Sequence, residues 1–179
     1  LCGLLDVPNR LMSSLERGSG KHTGVLVRGA IQLMTGWPGE SRDILLAASQ
    51  HSDRDARREL SSSLQRISSE DGGFAIQLMD VLLEDSDSDV RTLATTYLSS
   101  LVRTDMPLFV EKASIVLGRG DQRMTQRIVD SAMREYLSMD SDDESGLLPM
   151  AWMSSNEGSK SRLAGLMIQQ AGVSQLGFR

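Results

Sequence analysis

Residues 51-HSDRDARRELSSSLQRI-67 and 85-DSDSDVRTLATTYLSSL-101 are two versions of one pattern. In each, Ser-Asp-x-Asp leads into a small or β-branched residue and then Arg, followed by Leu64 and Ile67 in one copy and Leu98 and Leu101 in the other. Asp53 corresponds to Asp87, Asp55 to Asp89, Ala56 to Val90 and Arg57 to Arg91, one constant offset (87 minus 53 gives 34). Ser or Asp at such a place accepts hydrogen bonds from the free N–H groups of a first helical turn, and acidic charge suits the positive end of the helix dipole. After Asp89, residues Val90, Leu93, Ala94, Tyr97, Leu98, Leu101 and Val102 recur at spacings of three and four, which is one helical face. An apolar helix precedes each cap, 42-RDILLAAS-49 and 74-FAIQLMDVLLE-84. The unit is a helix, a tight polar turn and a second helix.

The unit extends in both directions. Pro107 opens 107-PLFVEKASIVL-117, where proline suits a first helical turn, and Asp121 caps 121-DQRMTQRIVDSAMREYL-137. A last pair is 147-LLPMAWMSS-155 with 159-SKSRLAGLMIQQAG-172, and a first is 7-VPNRLMSSLER-17 with 21-KHTGVLVRGAIQLM-34. Second helices are expected to start near 21, 54, 88, 121 and 158, steps of 33, 34, 33 and 37. Such a period predicts an all-α chain, an α-solenoid of about five antiparallel hairpins over 6–36, 38–68, 73–102, 106–138 and 145–172. One domain is expected over 1–179, and because the chain begins with Leu1 rather than Met it is expected to be a fragment of a longer protein.

Composition agrees. Aromatics make up only 4% of the 179 residues, so ten Met and many Leu must fill the interior, and unbranched aliphatic packing favours helix over sheet. The lone Cys2 excludes an internal disulfide framework and points to a reducing, cytoplasmic compartment. Apolar runs such as 44-ILLAA-48 are far shorter than the roughly 20 residues of a membrane-spanning helix, so no membrane association is expected. The net charge of −5 opposes indiscriminate nucleic-acid binding, although an average can conceal a polarised surface.

The DxDVR turn at 87–91 and DRDAR at 53–57 resemble the turn between the two helices of a HEAT repeat. This resemblance to the HEAT/armadillo-type families implies a right-handed superhelix. It also implies a polar ladder between successive repeats, here Asp53, Asp55, Arg57, Asp87, Asp89 and Arg91. The turn at 121 fits the pattern less closely, and no Asp precedes Lys21 or Lys160, as befits terminal repeats that cap a stack.

Several apparent sites fail on spacing. In 17-RGSGKHTG-24 a phosphate-binding loop would need glycine at 15 and Ser or Thr at 22, where Leu15 and His22 stand. The stretch reads instead as a turn, with Gly18 and Gly20 free to adopt the left-handed conformations of a helix C-cap. The run 85-DSDSD-89 begins like a calcium loop but has Val90 and Thr96 where glycine and glutamate are required, and 140-DSDDESG-146 reads as a solvated connector. Neither His22 nor His51 has an acid–base partner nearby in sequence, and His51 sits at a helix end where imidazole can satisfy a backbone carbonyl. No catalytic residue, metal or cofactor is expected.

Trp37, in the turn 36-GWPG-39, and Trp152 are candidate contact anchors, since tryptophan is enriched at binding hot spots. Charge is more informative. The second helices, taken as 21–36, 54–68, 88–102, 121–138 and 158–171, carry 12 basic against 6 acidic residues, a net of +6. The remaining 7 basic and 18 acidic residues leave −11 elsewhere. In HEAT-like arrays the second helices line the concave face, so a basic groove is expected from Lys21, Arg28, Arg54, Arg58, Arg123, Arg127 and Arg134. The leading expectation is a non-catalytic scaffold or adaptor whose concave face binds a protein partner, an acidic segment in particular. One rival is a nucleic-acid-binding protein similar to HEAT-like DNA alkylation-repair glycosylases. Another is a regulatory module attached to an enzyme outside this fragment, like the HEAT-like arrays associated with bilin lyases.

Overall fold

The structure, a computed structural model, describes residues 6–18, 21–139 and 143–176, with Lys21 and residues 173–176 described by backbone alone. Twelve α-helices and no strand occur among the described residues. They are α1 (Val7–Arg17), α2 (Lys21–Leu33), α3 (Pro38–Ser49), α4 (Arg54–Ser62), α5 (Leu64–Glu70) and α6 (Gly72–Leu83). There follow α7 (Ser88–Thr104), α8 (Met106–Gly118), α9 (Gln122–Ser131), α10 (Met133–Met139), α11 (Leu147–Ser154) and α12 (Glu157–Leu176). The chain is therefore all-α.

Aspartates start these helices as the repeat pattern demands. The Asp53 carboxylate accepts from the Asp55 N–H at 2.8 Å, Asp87 from Asp89 and Val90 at 2.9 and 3.1 Å, and Asp121 from Arg123 and Met124 at 3.0 and 3.3 Å. Asp71 and Asp105, which stand at the same offset from each other as Asp53 and Asp87, cap α6 and α8 through the Phe74 and Leu108 N–H groups. Capping of this kind satisfies donors that a helix cannot satisfy itself.

Three local features differ from the sequence reading. The segment 54–68 is not one helix but α4 and α5, interrupted at Ser63, whose N–H bonds the Leu60 carbonyl at 3.0 Å while its own carbonyl restarts the next helix at Arg66 and Ile67. A corresponding interruption at Ala132 divides 121–138 into α9 and α10. Gly18 is extended, with φ −77° and ψ 155°, not left-handed. A Cβ there would lie 2.9 Å from the Ser14 carbonyl oxygen and 3.1 Å from the Thr23 methyl, so close approach explains the glycine. Gly20 lies outside the described residues. Asp143 belongs to no merely solvated connector: its carboxylate accepts from the Leu147 and Leu148 N–H groups and from the Tyr136 hydroxyl, capping α11.

The chain divides into two compact units, 1–94 and 95–179, with the boundary inside α7. In the first, α1 packs on α3 and α3 on α6, while α2 packs on α4. Its core is aliphatic, built on Leu15, Ile44, Leu45, Leu60, Leu64 and Leu78, all at most 1% exposed. In the second unit α8 packs on α11, and α9 and α10 pack on α12. Here Phe109 and Tyr136, with ring centroids 5.8 Å apart, join Met124, Ile128, Met133 and Leu163 in the core.

Two carboxylates couple this fold to pH. Burial pushes Asp87 upward, but the Val90 and Asp89 N–H bonds and the Arg54 and Arg57 charges outweigh it and hold the group below its ordinary value. Asp71 is held down by the Phe74 N–H and by its hydrogen bond to Arg42, against burial. A depressed carboxylate stabilises the fold fully above its unfolded pKa of about 3.9, and that contribution disappears as pH falls through the lower folded value. Urea midpoints of the wild type should therefore decline below about pH 4, and Asp71→Asn with Asp87→Asn should flatten that decline.

Candidate functional site

The polar network determines which cations are available. Arg57, on α4, donates through Nε to Asp85 at 2.6 Å and through Nη1 to the carbonyls of His51 and Ser52 at 2.5 and 3.1 Å. Arg91 repeats the arrangement one motif later, its Nη1 donating to the carbonyls of Asp85 and Ser86 at 2.7 and 3.1 Å. Each arginine braces the turn that precedes its own helix. Asp53 receives the Thr23 hydroxyl of α2 at 3.3 Å, and Asp87 faces Arg54 at 3.6 Å.

The decisive carboxylate, Asp85, stands outside the expected ladder. Its counterpart in the preceding copy of the motif is His51, and the two side chains do equivalent work. Asp85 Oδ1 accepts from the Asp87 N–H at 2.8 Å, as His51 Nδ1 accepts from the Asp53 N–H at 3.0 Å. The proton of His51 thus resides on Nε2, which donates to the Leu15 carbonyl of α1 at 2.9 Å. Both residues tie their turn to an earlier helix. Their alignment at the offset of the two motifs was the available signal, obscured by the change from imidazole to carboxylate.

Two clefts collect the remaining charge. In the first unit, a cleft of about 440 Å³ is lined by Gly24, Arg28 and residues of α4, including Asp55, Arg58 and Glu59. Arg28 donates to Glu59 at 2.5 Å, whereas Arg58 is exposed and makes no hydrogen bond or ion pair among the described residues. In the second unit, a cleft of about 830 Å³ lies between α9–α10 and α12 and includes Arg103 from α7. Arg103 pairs with Glu135 and Arg162 with Asp130, and that carboxylate holds the Arg162 guanidinium above its ordinary value. Arg134 lines the cleft, exposed and without a hydrogen bond or ion pair among the described residues.

The expected basic residues are thus distributed unevenly. Arg28 and Arg54 face carboxylates, and Arg127 donates to the Thr96 hydroxyl at 2.8 Å. Arg123 is exposed on α9, and the Lys21 side chain lies outside the described residues. Trp37 immediately precedes α3 and is half-buried, while Trp152 is exposed on α11 and lines an apolar groove. His22 is exposed, and both ring nitrogens of His51 are committed to backbone. Among the described residues no cluster of His, Cys, Asp or Glu could hold a metal ion, and no helix is long and apolar enough to cross a membrane. No family model, curated protein or solved structure matches the chain.

If cross-helix carboxylates neutralise these clefts, removing them should unmask the cations. Glu59→Gln combined with Asp130→Asn should elute from immobilised heparin at higher salt than the wild type. Because exposed pairs contribute at most about 1 kcal/mol each, the melting temperature should fall by only a few degrees.

Proposed function

We propose that the chain is a non-catalytic scaffold of HEAT-like helical repeats that binds an acidic segment of a protein partner through its second helices. The proposed architecture is an α-solenoid of about five hairpins, and a cytoplasmic location accompanies this reading. Like-on-like helix packing supports it: α3 neighbours both α1 and α6, and α2 neighbours α4. So does the bracing by Arg57 and Arg91, which recurs at equivalent positions of the two motifs.

The observation that carries the binding proposal is the pair Arg58 and Arg134. Each is an exposed guanidinium in a cleft bordered by second helices, and each is left over after the neighbouring arginines have paired. Guanidinium forks match carboxylates bidentately, so these clefts suit glutamate or aspartate side chains presented by a partner. Pairing of Arg28, Arg54, Arg103 and Arg162 with protein carboxylates leaves little charge for a continuous phosphate backbone, which disfavours the nucleic-acid reading.

A fluorescein-labelled oligoglutamate peptide tests the proposal by anisotropy. Arg58→Ala with Arg134→Ala should weaken binding about tenfold and leave thermal unfolding unchanged. Equal binding by the double variant would count against the clefts. Tighter binding of duplex DNA than of the peptide, with steep salt dependence, would favour the nucleic-acid rival instead.

A further inference from the structure

The face that α12 turns to the cleft of the second unit is defined by a gap. Arg162, Gly165, Leu166 and Gln169 follow one another at helical spacing, and all four line that cleft of about 830 Å³. Gly165 stands well inside the 20-residue helix, where glycine is less favourable than alanine. The fold does not require it: a Cβ at Gly165 would meet nothing within 4 Å. Gly18, by contrast, is held to glycine by the nearby Ser14 carbonyl. At Gly165 the missing side chain leaves the backbone of α12 open to the cleft.

Around this gap some polar groups are engaged and others are not. Arg162 pairs with Asp130 and Arg103 with Glu135, while Arg134 on α10 has no such partner among the described residues. Gln169 is exposed and likewise makes no hydrogen bond among the described residues. Three arginines against two carboxylates leave the lining with a net charge of +1. Arg134, Ser138, Leu166 and Gln169 also line an adjoining cleft of about 140 Å³, so the groove continues past the glycine toward Leu137.

We propose, building on the acidic-segment reading of this cleft, that the segment lies in it as an extended chain. One carboxylate sits on Arg134, the main chain passes against α12 at Gly165, and a peptide group pairs with the Gln169 carboxamide. A carboxamide both donates and accepts, which matches a free peptide group. It offers nothing to a helix, whose N–H and C=O groups already bond one another. Glycine is the residue that lets a second backbone approach closely. From Arg162 to Gln169 the helix rises about 10 Å, the reach of about three residues of extended chain. Successive side chains of such a chain point to opposite sides, so the residue on Arg134 is acidic while its neighbours turn away from that guanidinium.

Fluorescein-labelled hexaglutamate, which self-repulsion keeps extended, is the probe. It is titrated by anisotropy against the full chain carrying Arg58→Ala, so that the cleft of the first unit does not contribute. Adding Gly165→Ala should raise the melting temperature by about 2–4 °C, because alanine is the better helix former, and yet weaken binding about fivefold. Gly172→Ala, on the same helix but outside both clefts, should leave binding unchanged. Gln169→Ala should weaken binding several-fold, and Gln169→Glu about tenfold or more, since it removes the donors and adds a like charge. Binding by the Gly165→Ala chain equal to that of its parent would overturn the extended placement and leave the acidic-segment reading standing. A melting temperature lowered by Gly165→Ala would also overturn it, by showing that the fold needs the glycine. No saturable binding by the parent would remove the acidic-segment reading of this cleft and the placement with it. In that case, Arg134-dependent self-association in sedimentation would put an acidic segment of a second copy in the cleft instead.

Discussion

The ion pair between Arg57 and Asp85 is the constraint on which the first unit depends. Its side chains are only 14% and 6% exposed, which sets it apart from the surface pairs around it. Aliphatic faces of similar helices attract one another without direction, so burial alone does not decide which turn lies beside which helix. A planar guanidinium does decide it, since its donors are held in fixed geometry. Arg57 is anchored to its own turn through the His51 and Ser52 carbonyls and reaches the following turn through Asp85. His51 performs the corresponding linkage one step earlier, through the Leu15 carbonyl. Packing supplies the bulk of the stabilisation, and these polar links supply the register.

That arrangement also explains the charge pattern of the chain. Within each unit, arginines of one second helix are matched by acids of its neighbour, as in Arg28 with Glu59 and Arg162 with Asp130. Arg54, Arg57 and Lys160 pair in addition with Asp87, Asp85 and Glu157, acids outside those helices, so half of the surplus of six is neutralised within the fold. What remains for recognition includes Arg58 in one unit and Arg134 in the other, each in a cleft, together with an apolar face on α11 and α12. Binding surfaces here are what the structural network leaves unused.

Much of the helical framework was legible because aspartate caps and apolar spacing are local signals. Second helices expected near 21, 54, 88, 121 and 158 begin at Lys21, Arg54, Ser88, Gln122 and Glu157. The interruptions at Ser63 and Ala132 were not legible, since neither residue is a breaker and the apolar period runs through both. Asp85 escaped notice because its partner, Arg57, belongs to the preceding motif, and a pattern within one motif does not reveal partners in another. Asp143 looked like one acid among several in a charged connector, and only its fold-dependent meeting with Tyr136 distinguishes it. For Trp152, exposure depends on whether a further helix covers that face, which no local pattern encodes. The basic residues of the proposed groove were all visible, but their pairing was not, because it is set by the distance between neighbouring helices.

A double-mutant cycle on Arg57 and Asp85, with Arg57→Met, Asp85→Ala and the combined variant followed by urea denaturation, tests the register claim most directly. A coupling energy of about 1.5–3 kcal/mol, with the two single losses together exceeding the loss in the double variant, is the result predicted for residues in direct polar contact. A coupling below about 0.5 kcal/mol, the range of independent sites, would contradict the account and leave packing alone to set the register.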